Sequence, residues 1–223
     1  MLSFLAGGHP PRRSNTAAQS KVYYEDGRAS QEFHSLAENS RYGVTHVIPK
    51  AGIPSAFNPP LHFHAVQVET LTVREGVGHF FLNTETCMVP DASKPTVINA
   101  GETIVIPMGA YHRFENPDPD NVMVLQIALD PDLRDAEHSF FRNFLGYIDD
   151  CKKGKMEPSI FQLLLFLYAS STPLAVPIPS PFIPAFVGRA VSWALVYVGG
   201  VLIGELLLGY KGSYDEYFKK ETE

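Results

Sequence analysis

Hydrophobic positions change their period once along the chain. From Lys21 to Leu129 they fall in short runs of β-branched and aromatic residues: KVYY, YGVTHVI, ETLTV, GHFFLN, PTVINA, ETIVIP and VMVLQIAL. Gly, Pro, Asn and Asp break these runs. Turn signals at roughly eight-to-twelve-residue spacing predict a mainly β domain, a sandwich or small barrel whose interior takes alternate residues of each strand. After LDPDLRD the period lengthens, and Phe141, Phe144, Leu145 and Ile148 recur at helical spacing. This predicts an amphipathic helix over Asp135 to Cys151. A second helix is expected in EPSIFQLLLFLYAS, with Pro158 in its first turn. TPLAVPIPSPFIP then interrupts with five prolines and should be extended. The organisation is a flexible arm over 1–20, a β domain over 21–131 and a helical, apolar extension over 132–223.

Ala190 to Leu208 is the most apolar window, with Glu205 as its single charge. Nineteen residues of helix just cross a bilayer core, and Arg189 and Lys211 flank the stretch. Gly200 and Gly204 form a G-x-x-x-G, the spacing that lets helices approach closely. Two arrangements suit this pattern: a membrane anchor, or a buried hairpin with Phe161 to Tyr168, packed on the β domain or across a homodimer interface.

Composition narrows the partners. A net charge of −6 and a pI near 5.7 leave no basic face to neutralise phosphates, so nucleic acid is not expected. Cys87 and Cys151 lie far apart without metal spacing, as plain thiols of a reducing compartment would. The apolar start MLSFLAGG precedes its basic residues and is too short for a signal-peptide core. An intracellular protein is expected, cytoplasmic or membrane-associated through 190–208.

The candidate chemistry begins in PPLHFHAVQVETLTVREG. On a strand, His62 and His64 at i and i+2 point to one face, and their imidazoles suit a divalent transition ion. In ETLTVREG, Glu69, Leu71 and Val73 share the apolar, inward face, and a buried glutamate needs a partner. GETIVIPMGAYHRFEN supplies the next piece. Its β-branched strand runs into Pro107, Gly109 permits a turn, and His112 opens another strand as the candidate third nitrogen ligand.

These two segments resemble the paired motifs of the cupin superfamily. The first motif, H-x-H, four residues, E, six residues, G, is met by His62, His64, Glu69 and Gly76; the usual leading glycine is Ala56 here. The second, G, five residues, P-x-G, two residues, H, three residues, N, is met by Gly101, Pro107, Gly109, His112 and Asn116. The resemblance implies a single cupin (jelly-roll) barrel holding one divalent metal through His62, His64, Glu69 and His112. Iron, manganese, nickel, cobalt, copper and zinc all accept such a donor set. Glu69 is also the candidate catalytic base.

Strand alternation places Val66, Val73, Phe80 and Phe114 on the same interior, with Met108 or Tyr111 near the second motif. Such an apolar, aromatic chamber would suit a phenolic or polyketide-like substrate. The single barrel with its apolar carboxyl-terminal extension also resembles small fungal cupin-domain oxidoreductases of secondary-metabolite biosynthesis, related to quercetin-dioxygenase-like proteins. That likeness implies an oxidative, dioxygenase-like or isomerising step on an aromatic or polyketide intermediate, with dioxygen a candidate co-substrate. A metal-dependent isomerase or cyclase without redox, and a non-catalytic small-molecule-binding cupin, are the alternatives.

Overall fold

The computed structural model describes residues 12–38, 40–178, 180 and 182–220. Nine strands come first: β1 (Lys21–Tyr24), β2 (Ala29–Phe33), β3 (Val44–Ile48), β4 (Val68–Glu75), β5 (Val77–Asn83), β6 (Thr96–Asn99), β7 (Thr103–Ile106), β8 (Tyr111–Glu115) and β9 (Met123–Asp130). They form a six-stranded antiparallel sheet, β1-β2-β3-β9-β4-β7, and a three-stranded one, β6-β5-β8. Alternation works as expected within them. Leu71, Val73, Leu125 and Ile127 from the larger sheet meet Phe80, Ile98 and Phe114 from the smaller in one core. The expected jelly roll is therefore present as two packed sheets.

The sequence reading missed β2. Its residues ASQEF lack the β-branched signature, yet Ser30 and Gln31 are buried where β2 pairs with β3. Tertiary pairing overrides weak local propensity here.

Three helices follow: α1 (Arg134–Lys153), α2 (Ile160–Ala169) and α3 (Ala185–Val196), the last continued by a π-helical stretch, Tyr197–Leu207. α1 exceeds the expected span by a residue or two at each end. Pro158 lies just outside α2, whose N-cap is Ser159. In the proline-rich connection Leu174 pairs with His62, so the described part of that segment serves as an extra extended element against the β domain.

Ala185–Leu207 is long and apolar enough to cross a membrane by length and composition. In the structure Gly199, Gly200 and Gly204 face α2. A Cβ on Gly200 would lie 2.7 Å from the backbone nitrogen of Leu165, and one on Gly204 2.8 Å from the carbonyl oxygen of Phe161. The G-x-x-x-G thus brings two helices of the same chain into backbone contact. The opposite face leaves Val191, Leu195, Val198, Leu202 and Leu206 exposed.

The expected flexible arm falls partly on residues 1–11, outside the described residues. Residues 12–20 are tied down along α1. Ser14 donates its backbone N–H and its hydroxyl to the Asp150 carboxylate at 2.7 and 2.6 Å, and Arg142 donates to the carbonyls of Thr16 and Gln19. Cys87 and Cys151 are free and buried.

Candidate metal centre

β4 carries Glu69 inward between Ile106 of β7 and Leu129 of β9, as alternation requires. His112 lies on β8, immediately after the Pro107–Gly109 turn. Gly109 has φ +77°, a conformation side chains rarely tolerate, and its N–H donates to the carbonyl of His64 at 2.8 Å. This turn therefore clips the second motif to the first. His62 and His112 exchange backbone hydrogen bonds at 3.0 and 2.9 Å.

One expectation needs correcting. His62 and His64 do not lie on a regular strand; they sit in an extended segment outside the named strands, joined to β8 by an isolated bridge. Its other edge is completed by the carboxyl-terminal extension. Phe63 N–H donates to Pro173 O, Ala65 N–H to Ser171 O and Ala175 N–H to Leu61 O. The segment is extended because it is hydrogen-bonded on both sides, and one of those sides comes from more than a hundred residues downstream.

The four side chains converge. One donor atom from each of His62, His64, Glu69 and His112 lies within 4.8 Å of the others, and all four residues are buried. Glu69 Oε2 is 3.0 Å from His112 Nε2 and 3.5 Å from His64 Nε2. None of these three buried atoms has a satisfactory hydrogen-bond partner among the described residues. The outer nitrogens, by contrast, are all engaged. His62 Nδ1 donates to Pro60 O at 2.9 Å and His112 Nδ1 to Ala110 O at 3.0 Å, while His64 Nδ1 is 3.3 Å from the Thr172 hydroxyl. That hydroxyl donates to Ser170 O, so it accepts from His64. Fixing the proton on each Nδ1 turns each Nε2 lone pair toward the shared centre, the arrangement that metal-binding histidines require.

Electrostatics agree. Burial pushes the Glu69 carboxyl up, but His64 and His112 outweigh it and hold it well below the usual carboxylate range. Burial, reinforced by His112 and His64, holds His62 well below the usual histidine range. Three imidazoles facing one buried carboxylate fit a divalent transition metal, which would also satisfy the orphaned atoms.

His62, His64 and Glu69 lie on the wall of a partly open pocket whose empty space, open solvent included, is about 660 Å³. Its aromatic lining is Phe57, Phe114, Phe140, Phe141 and Phe144, with Leu167 and Leu174 completing the side made by the extension. Of the six expected substrate residues, only Phe114 lines it. Val66 is 47% exposed and faces a second, partly open pocket beyond His64, because a bend at Ala65–Val66 ends the alternation before β4 begins. Val73 does face inward, but it lies four residues beyond Glu69, about 13 Å along β4, in the sheet-to-sheet core. Phe80 is opposite Phe114 in the β5–β8 register and supports it from within that core. Met108 sits in the turn and is 58% exposed. Tyr111 precedes His112 on β8, so period two sends it to the other face, where it stacks on Phe63 beside Cys87.

Sequence reasoning missed Thr172, Leu167 and Leu174, for which no local signal exists. It read Phe141 and Phe144 as one face of a helix without a destination.

The two packed sheets and the buried His-His-Glu-His group define a metal-binding cupin. The chain belongs to the cupin superfamily, and the cupin domain model matches residues 53–128. It is similar over nearly its whole length to curated fungal proteins. Probable oxidoreductase virH of Hypocrea virens is 33% identical, covering 94% of this chain and 91% of that protein. Oxidoreductase iacF of Pestalotiopsis fici is 28% identical, covering 85% and 88%. Epoxidase atD of Aspergillus terreus is 30% identical, covering 93% of this chain and 58% of its own length.

Proposed function

We propose that this chain is a metal-dependent cupin oxidoreductase, dioxygenase-like, acting on a small aromatic or polyketide-type intermediate of secondary metabolism. The observation that carries the reading is the buried donor set, three of whose members line a phenylalanine-rich pocket. The names of the relatives, two oxidoreductases and an epoxidase of fungi, support the oxidative class. His62, His64, Glu69 and His112 would hold the metal. When bound, such an ion supplies Lewis acidity, and a redox-active one also supplies electron transfer.

The chain's own residues do the remaining work. The aromatic walls take up the apolar body of the substrate and exclude water, which strengthens every polar interaction at the cluster. Thr172 and the carbonyls of Pro60 and Ala110 hold the three imidazoles in one tautomer. Glu69, the buried carboxylate of the cluster, would be the group to accept a proton from a substrate C–H or O–H beside it.

Oxygen uptake by metal-loaded protein, measured against a panel of phenols and aromatic polyketide intermediates, tests the reading. Uptake should track metal content and vanish in His112→Ala. Metal-dependent turnover that proceeds equally without oxygen would replace it with an isomerase or cyclase. Saturable binding with no turnover would replace it with a binding cupin.

A further inference from the structure

Among the described residues on the cavity wall, His46 is the polar side chain left over. Thr172 is bound to His64, and His62, His64 and Glu69 belong to the metal-facing group. His46 projects from the middle of β3 and is 4% exposed. Behind it, on the paired strand β2, stands the fully buried Gln31, whose amide nitrogen is 2.9 Å from His46 Nε2. With the amide nitrogen toward the ring, Nε2 accepts and the ring's proton sits on Nδ1, while the Gln31 amide oxygen is left without a partner among the described residues. Burial holds this imidazole neutral, pushing its pKa down to about 3 despite an opposing pull from Glu69. Phe57 and Phe141 clamp the ring edge-on at centroid distances of 5.3 and 5.1 Å. Both phenylalanines line the same cavity. Nδ1, held rigidly in this way, has no hydrogen-bond partner among the described residues. A buried donor without an acceptor is costly, and three surrounding groups preserve this one in a fixed orientation.

We infer that His46 is a specificity-determining residue, donating a hydrogen bond from Nδ1 to a carbonyl or ether oxygen on an otherwise apolar ligand that extends from the metal-facing cluster. Gln31 is its positioning residue. The occupant is then a molecule with two polar ends: one group at the cluster and one acceptor oxygen at His46, separated by an aromatic body against Phe57, Phe141 and Phe114. This inference rests on the cavity being the ligand chamber, the part of the proposed function that does not involve oxidation.

The test uses metal-loaded protein and two probes of nearly equal shape: acetophenone, which carries an acceptor oxygen, and α-methylstyrene, which does not. Binding of each is measured by calorimetry or ligand-observed NMR, and the ratio of their dissociation constants is compared between variants. Asn places its amide nitrogen near the position of histidine Nδ1, whereas Gln extends toward that of Nε2. His46→Gln should therefore lower the preference for acetophenone by roughly fivefold, and His46→Asn should keep it within about twofold. An unchanged ratio in His46→Gln or an equal fall in both His46 variants would overturn the assignment, as would failure of both probes to bind wild-type protein. Thermal unfolding of each variant confirms that folded proteins are compared. Because oxygen uptake is not read, loss of the oxidative reading would leave this result standing, and the reverse also holds.

Discussion

The β domain and the helical extension contribute to the same cavity in different ways. The β domain supplies all four metal-facing residues from two short motifs, held together by the Gly109 turn and the His62–His112 bridge. The extension supplies no such residue. It contributes the apolar side of the chamber through Phe140, Phe141, Phe144, Leu167 and Leu174, and one hydroxyl, Thr172, behind His64. Chemistry here is encoded locally, whereas enclosure is encoded at long range.

Removing a donor should give the largest effect. His64→Ala is expected to lose stoichiometric metal, measured by elemental analysis, and to abolish turnover with it; a metal-free variant with full activity would sink the assignment of chemistry to the β domain. Next comes the seating of the extension. Gly200→Leu drives a side chain into the backbone of α2 and should cost up to about 3 kcal/mol in denaturant unfolding, while metal content per folded molecule stays near wild type. If metal is lost in step with packing, the two regions are not separable in the way described.

Thr172→Val then asks how far the extension reaches into the metal centre. Loss of the acceptor for His64 Nδ1 should weaken metal retention against a competing chelator by roughly 10- to 100-fold. Retention equal to wild type would confine the extension to enclosure alone. The last test concerns pH. His46 has a folded pKa near 3 against an ordinary 6.5, so between these values the unfolded chain binds the extra proton. Its contribution is fully present above about pH 6.5 and is lost as pH falls toward 3, with a limiting slope of about 1.4 kcal/mol per pH unit. Urea midpoints from about pH 7 to pH 4 should fall more steeply for wild type than for His46→Asn.

The sequence was informative wherever neighbouring residues settle the outcome. Period-two alternation correctly turned Glu69, Leu71 and Val73 inward, and the Phe141–Phe144–Leu145 spacing correctly marked α1. Alternation failed at Val66 because a bend intervenes; at Tyr111 it held, and it turns this residue away from the face that carries His112. The G-x-x-x-G promised close helix approach; only the packed structure showed the partner to be α2 of the same chain.

By itself, then, the chain's order of residues determined the donor set and the fold that presents it. Motif spacing, turn glycines and strand periodicity act over a few bonds. Tertiary structure alone decided what surrounds that set: the polar strand β2 beneath His46, the 171–175 segment against His62 and His64, and the phenylalanines of α1 over the chamber. Those contacts join residues tens to more than a hundred positions apart. No local pattern specifies such a pairing, because burial rewards apolar surface without naming which partner covers it.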